Sequence, residues 1–229
     1  MHGTESIGKH TLAQIDLFGV PLVFHMDSIM MSWVTMAVVI VVAWLATRKI
    51  VRDKPQGRWQ LFMEMVVEGL IDQLEKTAGP KSKAIAPLII TLFLYLIFAN
   101  WLGLVPGGFT SPTVDVNTTL GLAIMIALSV HVIGASRNGL SHFGHLFKPH
   151  WLFLPINIME EISKPLTMGL RLFGNILAGE ILLIILYMLV PALAPTLWLG
   201  FSVFVGIIQA LIFTILSIVS LSGAFNDHH

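Results

Sequence analysis

Apolar stretches with few charges alternate with polar connectors along this chain, and the spacing of the polar positions decides which stretches cross a membrane. Residues 28–47 carry no charged side chain and run into Arg48 and Lys49. At about 1.5 Å per residue that length covers the ~30 Å hydrocarbon core, which predicts a first transmembrane helix. Residues 58–76 read differently. Glu64, Glu68, Asp72 and Glu75 recur at helical spacing on one side, while Phe62, Met63, Val66, Val67, Leu70, Ile71 and Leu74 fill the other. That pattern predicts an amphipathic helix lying on the membrane surface or against another helix. The charge-free run 84–114, interrupted by Pro106-Gly107-Gly108 and Pro112, gives a span ending near Leu104 and then an external turn. Residues 116–136 predict another span, followed by a polar loop with Arg137, His142, His145, Lys148 and His150. Residues 155–190 are too many for an upright crossing and carry five charged side chains. They predict a strongly tilted or bent helix shielded by other protein. Pro191 and Pro195 break the pattern before a last span over 196–222, and no internal repeat is visible.

Composition turns this pattern into a class. Hydrophobic residues make up 55% of the 229 and charged residues 11%, against about 25% charged in a soluble domain. The expected fold is an all-α membrane protein of five transmembrane helices plus one amphipathic surface helix. Residues 1–27 form an external N-terminal segment without a signal peptide's basic start and apolar core. Residues 28–225 form one membrane domain, and 226–229 a cytoplasmic tail. The lack of cysteine excludes disulfides and thiolate chemistry. Residues 48–83 hold eight Lys/Arg and the 137–150 loop two more, whereas 104–114 and 191–196 hold none and the first 27 residues only Lys9. Cytoplasmic loops carry the positive excess, so the N-terminus is expected outside and the C-terminus inside.

One charge stands out inside this apolar background. A charged group at bilayer depth costs at least ~2.5–3.5 kcal/mol, which makes Arg171 a functional-site candidate. At about 100° per residue, Asn175 and Ala178 fall on the Arg171 face, while Glu180 points the opposite way roughly 13 Å along the axis. Gly174, Ala178 and Gly179 leave room for another helix to approach. Glu160 and Glu161 lie on the cytoplasmic side of the arginine, with Glu160 spaced to pair with Lys164. Asp115 and Asn117 stand at the outer end of the 116–136 helix, and Ser202 and Gln209 share a face of the last one. A polar path past Asp115 and Glu180, a blocking Arg171, and a second path past Glu160 and Glu161 would make two offset half-channels. A fixed guanidinium repels any second cation and favours the ionised form of a carboxylate on a moving neighbour. Plainer readings stand beside this one. Arg171 could be half of a structural ion pair holding the bundle together. Ser202 and Gln209 could be interhelical glue, Asp115 a helix N-cap, and His131 a hydrogen-bonded packing histidine. The loop histidines 142, 145 and 150 lack acidic companions at ligand spacing, which argues against a metal site.

At these residues the chain resembles subunit a of the F-type ATP synthases, the membrane stator beside a rotating ring of c subunits. The resemblance runs through Ser163-Lys164-Pro165-Leu166, Gly169-Leu170-Arg171-Leu172-Phe173-Gly174-Asn175, Ala178-Gly179-Glu180 and Gln209-Ala210-Leu211-Ile212-Phe213. It also takes in Ala99-Asn100-Trp101-Leu102-Gly103-Leu104-Val105-Pro106 and the stretch from Ser111 to Thr119, and covers roughly residues 28–225. It implies that Arg171 faces the ring carboxylates, that Asn175, Glu180 and Gln209 line the ion path, and that Asp115 stands at the outer entry. It implies the long tilted helix over 155–190, the fifth helix when the amphipathic one is counted, packing with the last helix against the ring. Implied partners are the c ring, the peripheral-stalk b subunits, the rest of the complex, the bilayer and a translocated proton or sodium ion. A bacterial inner membrane is implied as well. Ser202 departs from members that carry a histidine there, and the Glu160/Glu161 pair varies among members. No cofactor, nucleic acid or covalent chemistry of its own is expected. A self-contained secondary transporter and an intramembrane metallohydrolase are the other classes; the first calls for an internal repeat and the second for ligands converging at bilayer depth.

Overall fold

The computed structural model describes residues 12–17, 20–48, 57–105, 110–139, 151–190 and 193–225. Among the described residues six α-helices follow in chain order: α1 Met26–Thr47, α2 Arg58–Ala78, α3 Ala86–Leu102, α4 Val116–Asn138, α5 Leu154–Leu189 and α6 Leu193–Ser222. All except α2 are long and apolar enough to cross a membrane, α3 together with the 3-10 turn Pro80–Ile85 that leads into it. The all-α architecture of five spans and one amphipathic helix is therefore the observed one. α6 begins ahead of Pro195, because a first-turn residue has no intrahelical partner for an N–H and loses nothing by lacking one.

The N-terminal segment adds an element for which the sequence pattern named none. Strands β1 (Leu12–Leu17) and β2 (Val20–His25) pair antiparallel, from Leu12 opposite His25 to Leu17 opposite Val20. Pro21 is tolerated because both strands of a two-stranded ribbon are edges.

Contacts between helix ends fix the up-and-down order. At one end, His25 before α1 meets Asp115 before α4. The Asn100 amide late in α3 donates to the Gly206 carbonyl, and Trp198 early in α6 donates to the Gly179 carbonyl late in α5. At the other end, Leu74 and Ala78 of α2, Ile89 of α3, Val130 of α4, and Ile218 and Leu221 of α6 close one apolar cluster with Phe225. So α1, α4 and α6 run one way, and α3 and α5 the other. Between the ends, Leu92, Phe93, Leu96, Ile126, Met168, Leu172 and Phe213 form the central core together with Leu70 of α2. The later half of α2 thus packs against the bundle. Its first half leaves Trp59, Leu61, Phe62 and Met65 exposed.

α5 controls the position of everything that follows. Its 36 residues rise about 54 Å, well beyond a ~30 Å apolar core, so it leans or projects. Pro165 sits within it and leaves the Glu161 carbonyl without its i→i−4 donor. A Cβ on Gly169 would stand 2.8 Å from Leu120 Cδ2 and 3.1 Å from the Thr119 carbonyl oxygen, so α4 and α5 touch almost backbone to backbone there. Gly174 and Gly179 meet nothing comparable and remain open.

Candidate functional site

The rotation of α5 separates two faces. Glu161, Pro165, Met168, Leu172, Asn175 and Gly179 recur at helical spacing on the face turned to the bundle, where Leu172 is 0% exposed. Glu160, Lys164, Thr167, Arg171, Gly174 and Ala178 form the neighbouring stripe, and every one of them is exposed. Among the described residues Arg171 makes no ion pair or hydrogen bond. Its side chain is exposed on the outward stripe of α5.

Two cavities open along the bundle face. The larger, about 360 Å³, is lined by Asn175, Gly179 and Glu180 of α5, Trp198 and Ser202 of α6, Asn100 of α3, and Ser111. Asn175, Glu180 and Ser202, singled out separately in the sequence, are thus brought together. Helical angles alone set Glu180 opposite Arg171, and that is how both hold: the carboxyl meets the cavity while the arginine faces out. Asn100 and Ser111 are functional neighbours that the sequence showed only inside a longer motif. Asn100 donates to the Gly206 carbonyl at 3.1 Å and accepts from the Thr113 hydroxyl at 3.3 Å. The Ser111 hydroxyl donates to the Ala99 carbonyl at 2.8 Å. An asparagine in a charge-free span was the available signal; the fold-back of Ser111 onto α3 had none.

The smaller cavity, about 140 Å³, lies nearer the Phe225 end and is lined by Glu161, Lys164, Pro165 and Met168 of α5, Val130 of α4, and Ser220. Glu161 Oε1 stands 3.4 Å from His131 Nε2 on α4. Glu160 instead pairs with Lys164 at 3.0 Å on the exposed face and is not part of the cavity wall. The adjacent acidic residues therefore point to different environments. Met168 borders one cavity and Asn175 the other, about 10 Å apart along the helix. The gap is filled by Leu172 packed with Leu96, Ile126 and Phe213.

Two remaining candidates fall outside both cavities. Gln209 is 6% exposed and lies about 10 Å further along α6 than Ser202. Asp115 caps α4, accepting from the Asn117 N–H at 2.9 Å, and meets His25 Nδ1 at 2.7 Å. Burial pushes its carboxyl pKa up. The bonds from His25, the Asn117 N–H and Ser28, together with the charge of His25, more than offset this and hold it below the ordinary value of 3.8. The capping reading of Asp115 is the one observed. His142, His145 and His150 lie outside the described residues.

These features define a polytopic helical membrane protein with an arginine that has no ion pair among the described residues, flanked along α5 by two cavities that carry a few polar side chains. The ATP synthase A chain family matches residues 29–222. ATP synthase subunit a of Desulforamulus reducens is 41% identical over 88% of this chain and 81% of its own length. The corresponding subunits of Acidothermus cellulolyticus and Geobacter sulfurreducens are each 36% identical, over 93% and 89% of this chain and 80% and 89% of their own lengths. The chain belongs to the ATP synthase A chain family.

Proposed function

We propose that the chain is the stator of a rotary ATP synthase and passes protons, or sodium ions, to and from carboxylates of a c ring through two offset half-channels. It does no covalent chemistry itself. The carrying observation is the apolar plug. Two cavities, each holding a carboxylate in its wall, adjoin α5, and Leu172, Leu96 and Phe213 close the way between them. An ion entering one cavity reaches the other only by leaving this chain, and the adjoining exposed face presents Arg171. A carboxylate on a passing rotor helix would meet the guanidinium, ionise and release its ion. The fixed positive charge would repel any free cation taking the same step. Gly174 and Ala178, open beside the arginine, suit the close approach of such helices. In this reading Asn175, Glu180 and Ser202 line the outer path and Glu161 the inner one. Gln209 supports the arginine region, Asp115 holds the outer entrance, and Glu160 with Lys164 borders the inner mouth. The His25 end faces outward, because Arg58, Lys76, Lys81, Lys83 and Arg137 gather at the other end. The membrane is a bacterial plasma membrane, and peripheral-stalk b subunits hold the stator in place. Each ion crossing 100 mV supplies ~2.3 kcal/mol, so several pass for each ATP formed elsewhere in the complex.

The test is Arg171→Ala in the assembled complex, reconstituted in liposomes. ATP-driven pumping is expected to vanish while the complex is still recovered intact; coupled pumping at the wild-type rate would overturn the reading. Repeating the wild-type assay with and without sodium at fixed pH separates the two ions.

A further inference from the structure

The inner cavity ends at Glu161 and His131, and the half-channel reading uses only the first of them. Glu161 lines it, and the Glu161 carboxylate faces His131 across the α4–α5 seam at 3.4 Å, both side chains about one-quarter exposed (25% and 27%). We propose that His131 is a second proton-handling residue of the inner path, so that protons pass between the cavity and the Phe225 side through Glu161 and His131 together. This rests on the half-channel reading.

The surroundings favour an exchange over a static ion pair. Along α4 the next charged side chain is Arg137, which lies over the Phe225 ring at 4.4 Å. From α5, Lys164 also reaches the cavity, but its ammonium is held by Glu160 at 3.0 Å. α6 brings Ser220 and no charged side chain over residues 193–225. At the same end, Glu75 is paired with Lys83, and Asp72 with Lys76. The Glu161 carboxylate and the His131 imidazole therefore meet beside the cavity. A neutral imidazole accepts at one ring nitrogen and donates at the other. In the pumping direction, His131 takes a proton from water, Nε2 hands it to the Glu161 carboxylate, and the neutral acid releases it into the cavity. Synthesis runs the same transfers backward, with no other reactant.

The experiment compares ATP-driven pumping by the whole complex in liposomes from pH 6 to pH 9, each pH a chosen condition of the assay. The variants are His131→Gln, Glu161→Gln and the double variant. Either single change is expected to lower the rate several-fold at the alkaline end, where protons are scarce, and to move the alkaline limb to lower pH. The double variant should lose no more than the worse single one, because both act in one route. Wild-type rates and limbs in both singles, or losses that multiply in the double, would overturn the proposal. If His131→Gln does not assemble, His131→Asn measured against the wild type decides it by the same limb. Arg171→Ala run alongside separates the two readings: if it still pumps, the half-channels fail; if it is silent while the limb stays put, only His131 fails.

Discussion

The two cavities beside α5 are made of different materials. The outer one is wide and neutral: of its lining residues only Glu180 carries a charge, and its walls are tied by Asn100, Ser111, Thr113 and Trp198 to one another or to backbone carbonyls. The inner one is narrow and ionic, with Glu161, Lys164 and His131 at or beside it. A satisfied neutral network keeps its geometry whatever the pH or salt, whereas partly exposed ion pairs respond to both. The first cavity is thus held by neutral bonds around a single carboxylate, and the second by charged contacts that pH and salt can shift.

The largest effect is expected where the two meet. Leu172 is the seal, and its replacements separate packing from wetness. Leu172→Ala leaves a void in apolar surroundings, which stays dry, so it should destabilise by about 2–5 kcal/mol without opening a leak. Leu172→Asn places a polar group that recruits water at the same point. Proteoliposomes carrying that variant should dissipate a proton gradient without ATP turnover. A tight Asn variant would mean that the cavities are separated by more than this layer.

Next comes the neutral network. Asn100→Ala removes two buried bonds, to the Gly206 carbonyl and from the Thr113 hydroxyl, while Thr113 keeps the Ser111 hydroxyl, a loss of about 1–3 kcal/mol. Thermal inactivation of the complex should move to lower temperature and show little dependence on salt. A strongly salt-dependent loss would show that the outer wall is not the neutral structure described.

Much of this was legible in the sequence because it is local. Charge-free runs located the spans, the i,i+4 spacing located the Glu160–Lys164 pair, and Asp115 followed by Asn117 and Thr118 announced a cap. What escaped depends on how helices are turned against each other. Glu160 and Glu161 are neighbours in sequence, and the Arg171 face drew attention to Glu160. The rotation of α5, set by Gly169 against Leu120 and by Leu172 in the core, puts Glu161 in the cavity. The recurrence of Glu161 with Met168 and Leu172 at helical spacing carried that information in a form visible only once the buried face was known. The glycines divide in the same way. Gly174 and Gly179 stand open, with room for a helix from outside the chain, while Gly169, unmarked in the sequence, makes a close approach within it. The His131–Glu161 contact and the return of Ser111 to α3 join distant segments, and the short β-hairpin has too few residues for its period to declare itself.

The smallest effect concerns the exception at the outer end, the His25–Asp115 pair, which is ionic although it stands beside the neutral vestibule. Asp115→Ala removes the α4 cap and should cost about 0.5–2 kcal/mol near neutral pH. Its pH dependence has a definite sign. The folded carboxyl titrates below its ordinary 3.8, so the carboxylate's contribution is fully present above that value and is lost as pH falls through the lower, folded pKa. Wild-type stability should therefore decline in this acid window, and the Asp115→Ala variant should lack that part of the decline. Melting curves of the two complexes between pH 3 and pH 7, the chosen range of the comparison, would settle it. Parallel curves would mean that Asp115 holds α4 through its geometry alone and that both ends of the outer region are, in energy, neutral.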